Sequence, residues 1–364
     1  MPYVFRGKVP GDTFLVGELA YTVQRVLCRP MPEEPAPVET LLLAQCLEGG
    51  HAGALCLVRC LEGPPDAPLR QRAWDGASLA VRMRHPHVGG VWLVHSDEDV
   101  LLVVSEYVPG FDLQSVLSFA AIVRQPPSPA FACFVGAAVA DALDYIHHLQ
   151  NEKGQWLGIV HRGVHPENIR LGLGGEVKLT GFDVTFSRVV GRRLTTTNLV
   201  RGELAYAAPE YVRDCQLDFR SDFFSLGMVL LELLTGRYPF DVPAAVMRAR
   251  GDLRAERSSW LPLEELVGHL KGFGPEAVGR AARGVSDTLV AILGRALQLD
   301  PGGRYQRGAW MRDDLRDWLH GQPVHYGPEE AVAEMRALRD RSQHYAPLVS
   351  TVEPGALPGA EEAS

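Results

Sequence analysis

The segment His161-Arg162-Gly163-Val164-His165-Pro166-Glu167-Asn168 ends an apolar helical stretch and leads toward KLTGFDV, residues 178–184. A proline-containing polar loop between an apolar helix and a short β segment carries backbone donors and acceptors that regular structure does not satisfy. The rest of the chain must therefore build a frame around it. With 364 residues, 46% hydrophobic and 22% charged, the chain can bury a large core, and its length suggests two or three structural units.

Charge and cysteine usage narrow the function. A net charge of -8 removes the electrostatic case for nucleic acid or an anionic membrane surface as partner. The N-terminus lacks a charged-then-apolar signal pattern. The apolar stretches 131–149 and 223–234 are interrupted by Asp141, Asp144 and Glu232 or are too short to span a bilayer, so both read as buried helices. Cysteines at 28, 46, 56, 60, 133 and 215 show no CxxC spacing and mostly sit in apolar runs, which favours reduced core thiols, no metal and a cytoplasmic location.

Along the chain, ALCLVRCL (54–61), GGVWLVHS (89–96) and VLLVVSEYV (100–108) read as strands, with a helical run from Leu69 to Arg84 ended by His85-Pro86. After Pro109-Gly110 the pattern changes to helices at 129–149, 221–235 closed by Gly236, 286–299 and 309–319. A further amphipathic helix is expected at 328–343, with Val332, Met335 and Leu338 on its apolar face, and residues 347–364 are Pro, Gly, Ala and acid rich and expected to lack fixed structure.

Taken in order, these signals resemble the bacterial branch of the serine/threonine protein kinase family over roughly residues 15–320. Residues 161–168 match the catalytic loop, Gly181-Phe182-Asp183 falls where the family has Asp-Phe-Gly, and Ala208-Pro209-Glu210 follows. Ser221-Asp222 with Ser225-Leu226-Gly227 resembles the central helix of the larger lobe, and Asp300-Pro301 with Arg304 the segment whose arginine pairs with Glu210. The resemblance implies an α+β, two-lobed fold. An extension (1–14) would precede a small β-rich lobe (15–108) and a helical lobe (109–320), followed by a tail (321–346) and the unstructured end (347–364). It implies structural roles for His161, Arg162, Glu210, Asp222 and Arg304, with Asp222 bonded to the catalytic-loop backbone. Ser105 would guard the back of a nucleotide pocket, and Glu106 to Val108 would offer backbone groups to an adenine.

The chemical positions depart from the family. Phosphoryl transfer needs a glycine loop over the phosphates, a lysine held by a glutamate, metal ligands and an aspartate that orients the acceptor. The catalytic aspartate falls on Gly163 and the principal metal aspartate on Gly181. Asn168 keeps the second metal-ligand position and Asp183 stands two residues late. The strand lysine falls on Arg59, in a chain whose only lysines are Lys8, Lys153, Lys178 and Lys271, so Arg59 is either a phosphate anchor or a product of that bias. Its helix partner falls near Gly76, with Asp75 the nearest acid. The segment between Val23 and Leu43 holds Glu33 and Glu34 but no G-x-G-x-x-G.

These departures point to a catalytically impaired pseudokinase that binds another protein, an active kinase or other signalling component, as scaffold or allosteric regulator. Two alternatives remain open. One is an atypical kinase using ATP with magnesium at Asn168 and Asp183. The other is a metal-independent nucleotide sensor anchored by Arg59. Thr195, Thr196 and Thr197 are candidate phosphosites near Arg192, Arg193 and Arg201, and a solvated Thr-Arg loop is the alternative. The His161 and His165 spacing resembles a zinc pair, but Pro166 favours a loop and His161 the family's structural histidine.

Overall fold

In the computed structural model the described residues are 5, 7–28, 38–182, 205–213, 217–240, 268–270 and 272–345. Asp183, the threonines at 195–197, Glu33, Glu34, Cys215 and the tail beyond 345 lie outside them. The chain divides into two compact units, one of residues 1–71, 91–107 and 339–364, the other of residues 72–90 and 108–338.

The first unit is a six-stranded antiparallel sheet made of β1 (Thr13–Val16), β2 (Leu19–Cys28), β3 (Val38–Cys46), β4 (Leu55–Glu62), β5 (Val91–Ser96) and β6 (Val100–Glu106), in the order β1-β2-β3-β4-β6-β5. Alternation selects its core, because successive strand side chains face opposite sides. Cys56, Val58 and Cys60 are buried with Leu42, Ala44, Leu102 and Val104, while Arg59 belongs to the opposite face. Strands β1 to β3 were not among those read from the sequence. Phe5 and Phe14, expected in a separate extension, pack edge to face in this core, and Phe5 N donates to the buried Glu62 carboxylate at 3.2 Å.

Helix α1 (Pro68–Ala80) begins in this unit, and its fully buried Arg70 was also not singled out by the sequence. Its guanidinium donates to the carbonyls of Gly63, Asp97, Glu98 and Val100 and to Ser96 Oγ, so one cation ties the start of the helix to the β5–β6 turn. A buried charge is tolerable only when its donors are satisfied, and here carbonyl dipoles do this. The helix stops at Ala80 rather than at Arg84. Arg82 and Met83 close tighter turns, and Arg84 N donates to Tyr145 Oη at 2.8 Å instead of to the helix ladder.

The second unit contains a small sheet of β7 (Gly110–Asp112), β8 (Ile169–Gly172) and β9 (Val177–Leu179), the helices α2 (Leu113–Val123), α3 (Pro129–His147), α4 (Pro209–Arg213), α5 (Arg220–Thr235), α6 (Pro275–Ala281), α7 (Asp287–Ala296) and α8 (Gly308–His320), and the start of α9 (Pro328–Tyr345), up to residue 338. Helix α2 was not expected from the sequence, although Asp112 caps it by accepting from Ser115 N at 2.8 Å. Helix α3 is long and apolar enough to cross a membrane by length and composition, but its Phe131, Val135, Val139, Leu143 and Ile146 are buried inside this unit. Helix α5 is buried on nearly every side and ends at Gly236, whose φ of 67° makes the left-handed cap that glycine adopts without strain. Residues 87–89 join the small sheet, with Leu179 N donating to His87 O at 2.9 Å and Gly89 N to Leu179 O at 2.7 Å. This is why 72–90 groups with the helical unit.

The start of α9 docks by the expected apolar stripe, with Ala331, Val332, Met335 and Leu338 buried. Polar contacts finish the seat. Glu334 accepts from Ser128 N at 2.6 Å, Ser128 Oγ at 2.7 Å and Tyr326 Oη at 2.6 Å, while Ser128 caps α3 through Phe131 N. The carboxylate thus sits at the amino end of a helix, where the backbone dipoles favour negative charge.

Candidate functional site

The loop at 161–168 is suspended from one buried carboxylate. Asp222, in the first turn of α5, accepts His161 N and Arg162 N at 2.8 Å on its two oxygens and His147 Nε2 at 2.8 Å on Oδ2. Because the carboxylate only accepts, His147 carries a proton on Nε2. Arg162 has a φ of 66°, a conformation sparsely populated by side-chain-bearing residues, and Asp222 holds the Arg162 N–H and that of the residue before it.

His161 turns its Nε2 to Thr180 O at 2.9 Å and accepts Gly163 N on Nδ1 at 3.2 Å, while its ring lies edge-on to Phe182 with centroids 4.8 Å apart. His165 is buried, and its Nε2 faces the Asn168 amide nitrogen at 2.9 Å. The two histidines therefore point to different partners, and no cluster of three potential metal ligands occurs among the described residues.

Asn168 is the centre of this arrangement. Its Nδ2 donates to Gly163 O at 2.9 Å as well as meeting His165, and its backbone carbonyl accepts both the Thr180 N–H at 2.8 Å and the Thr180 hydroxyl at 3.1 Å. Gly181 follows with a φ of 81°. A Cβ built there would lie 2.5 Å from Asn168 Oδ1 and closer still to Cγ and Nδ2. The amide thus fills the room that any side chain at 181 would require. Position 163 presents only backbone, and Glu167, four residues on in sequence, has its carboxyl pushed up by partial burial and by Asp112.

A second buried hub braces the same unit. Arg304 and Glu210 form a paired-fork salt bridge at 2.6 and 2.7 Å, with the Arg304 side chain fully buried. Ser221 Oγ donates to Glu210 at 2.7 Å, and the guanidinium also donates to the carbonyls of Gln298, Leu299 and Arg220. Nearly every donor and acceptor is satisfied, as a buried ion pair requires.

In the first unit Arg59 sits on β4 opposite Val103 of β6, with Ser105 and Glu106 farther along β6 opposite Leu57 and Cys56. Sequence spacing pointed to a helix for the acid that holds Arg59. The structure supplies Glu39 on the neighbouring strand β3, which accepts Arg59 Nε at 2.8 Å and Nη2 at 2.9 Å. The register explains it: Leu41 lies opposite Arg59, so Glu39 is the diagonal neighbour on the same face. Val108, expected to offer its backbone to an adenine, has its carbonyl taken by Arg170 Nε at 3.4 Å and Nη2 at 3.3 Å.

A profile of the protein kinase domain matches residues 61–314. Among characterised proteins, the chain is 30% identical over 240 residues to the serine/threonine-protein kinase PrkC of Bacillus subtilis, covering 66% of this chain and 32% of PrkC. It is 32% identical over 254 residues to the serine/threonine-protein kinase PknB of Mycobacterium tuberculosis, covering 68% and 36%, and 32% identical over 248 residues to the tyrosine-protein kinase MasK of Myxococcus xanthus, covering 65% and 38%. The chain thus matches about a third of the length of these curated relatives.

Proposed function

The chain belongs to the protein kinase domain family, and we propose that within it the chain is a catalytically impaired pseudokinase that acts by binding another protein. The observation that carries this reading is the state of positions 163, 168 and 181. Glycine stands at both aspartate positions, and the remaining metal-ligand side chain, Asn168, is bonded to Gly163 O and His165 and packed against Gly181. A positioned general base is worth on the order of 10² to 10⁴ in rate, and cooperating catalytic groups are not lost independently.

The contrast with the frame supports the same reading. The contacts that hold backbone geometry, Asp222 to the loop and Glu210 to Arg304, are made with short, buried hydrogen bonds. Arg59 keeps the cationic character of the strand position, but its fork is engaged by Glu39. Under this reading the fold serves as a scaffold or allosteric element in bacterial cytoplasmic signalling, with an active kinase or another signalling protein as its partner.

Thermal unfolding with millimolar ATP, with and without magnesium, tests the proposal. A ligand at about 100 times its dissociation constant adds roughly 2.7 kcal/mol of stability, enough to raise the midpoint visibly. The expected result is no shift in either condition and no transfer of labelled phosphate to a general protein substrate. Magnesium-dependent transfer by the purified chain would overturn the proposal, and a metal-independent shift would favour a nucleotide sensor.

A further inference from the structure

Away from the loop, the helical unit contains a cavity of about 490 Å3 between α3, α8, the connection 322–328 and His87. Its volume is in the range of small-ligand pockets. Apart from Tyr326, its ionisable lining is basic in type: Arg316, His87, His320 and His325, with no carboxylate. Phe134 and Tyr326 add aromatic surface. In a chain of net charge -8 such a lining is a local exception that needs an explanation.

The donors are available. Arg316 makes only a loose 3.7 Å contact with Asp141, whose short 2.6 Å bond goes to Arg312. His320 and His325 have no hydrogen-bonded partner among the described residues. His87 is already committed, giving its Nδ1–H to Val177 O at 3.0 Å, and is not counted among these donors. His320 lies in the last turn of α8 and is exposed, so its ring edge can meet a ligand. Of the acids nearest the connection, Glu330 accepts Gly327 N at 2.8 Å and lies close enough to His325 for their charges to interact, and Glu334 is held by Ser128 and Tyr326.

We propose that this cavity binds a phosphate monoester, with the Arg316 guanidinium taking two oxygens and the imidazoles of His320 and His325 donating to the others. A planar guanidinium matches a phosphate bidentately, and imidazole N–H groups add charge-assisted bonds. Neighbouring aromatic surface fits the organic part of the ester. The bound ester touches α8 and the connection that leads into α9, so it fastens the tail helix to its seat. The inference does not depend on the loop being inactive.

Calorimetric titration of the full chain with phenyl phosphate, with phenol as the neutral control and with a phosphoserine peptide, tests it. Phenyl phosphate or the peptide should bind saturably and phenol should not, with binding roughly tenfold or more weaker in Arg316→Gln. The double variant His320→Gln, His325→Gln, at two exposed positions, should weaken it as well. Binding of phenyl phosphate alone identifies a free small molecule as the source, and binding of the peptide alone a phosphorylated protein segment. Absence of saturable heat with either phosphate ligand in the unaltered chain, or equal affinity in both variants, overturns the proposal.

Discussion

The Asn168 side chain occupies the space in which a side chain on Gly181 would begin, and the two residues are held together by the bonds from Thr180 N and Oγ1 to Asn168 O. Glycine at 181 is therefore a packing requirement of this loop as well as the absence of a carboxylate. Its φ of 81° adds a conformational reason, since a side-chain-bearing residue is strained there.

Restoring the family's aspartates should consequently not restore transfer. Gly181→Ala is expected to cost about 1–3 kcal/mol in denaturant unfolding, through the left-handed backbone and the clash with Asn168. In an Asn168→Gly background the same change should cost less, and a double-mutant cycle measures the coupling. Gly163→Asp with Gly181→Asp should yield a less stable protein without measurable phosphotransfer; robust transfer by that variant would contradict the packing argument.

The Glu210–Arg304 pair should be far more costly to break than to remove. Arg304→Met alone leaves Glu210 buried beside one hydroxyl and should lose about 3–5 kcal/mol. Adding Glu210→Leu should recover a substantial part, because the second substitution removes the orphaned charge. Equilibrium unfolding of the three proteins decides the matter, and simple additivity of the two changes would show that the pair is not coupled.

Acid should weaken the helical unit through Asp144. Burial pushes its carboxyl up, but the Arg307 guanidinium at 3.0 Å and Ala309 N at 3.0 Å outweigh burial and hold it below the ordinary 3.8. A folded value below the unfolded one contributes stability that is fully present above the unfolded value and lost as pH falls through the folded one. Asp144→Asn should therefore flatten the stability profile below about pH 4. Asp218, held low against burial by the Arg220 side chain and backbone, should contribute in the same window, so the limb should flatten only partly.

The docked tail predicts a local effect. Met335→Ala should cost about 2–5 kcal/mol where the site cannot collapse. Glu334→Ala leaves Ser128 N and two hydroxyls without their acceptor and should cost roughly 1–3 kcal/mol. Hydrogen exchange over 328–338 should rise in both variants before exchange in the sheet of the first unit does.

Much of the helical frame was readable in advance. The apolar runs of α3 and α5, the Gly236 cap and the stripe Val332, Met335, Leu338 are local signals, because helical periodicity is carried by residues three and four apart. Strands β1 to β3 were missed where alternation is weak: β2, LAYTVQRVLC, mixes large and polar residues on both faces and departs from regular register against β3 at Val23/Arg25 and Val26/Cys28. Arg70 escaped notice because its partners are carbonyls from elsewhere in the fold, and a carbonyl has no residue type to recognise.

The chemical identity of the loop was settled by the sequence itself. Gly163 and Gly181 carry no carboxylate whatever the fold does, and Asp222, Glu210 and Arg304 were recognisable by their order and spacing. Tertiary structure decided which groups meet: Glu39 with Arg59 across a strand register, Glu334 with Ser128 across 206 residues, and the Asn168 amide with the space beside Gly181. The division has a physical reason. A side chain's capacity to donate, accept or ionise is intrinsic to its residue type, whereas its partner is chosen by packing among groups distant in sequence, which no local pattern encodes.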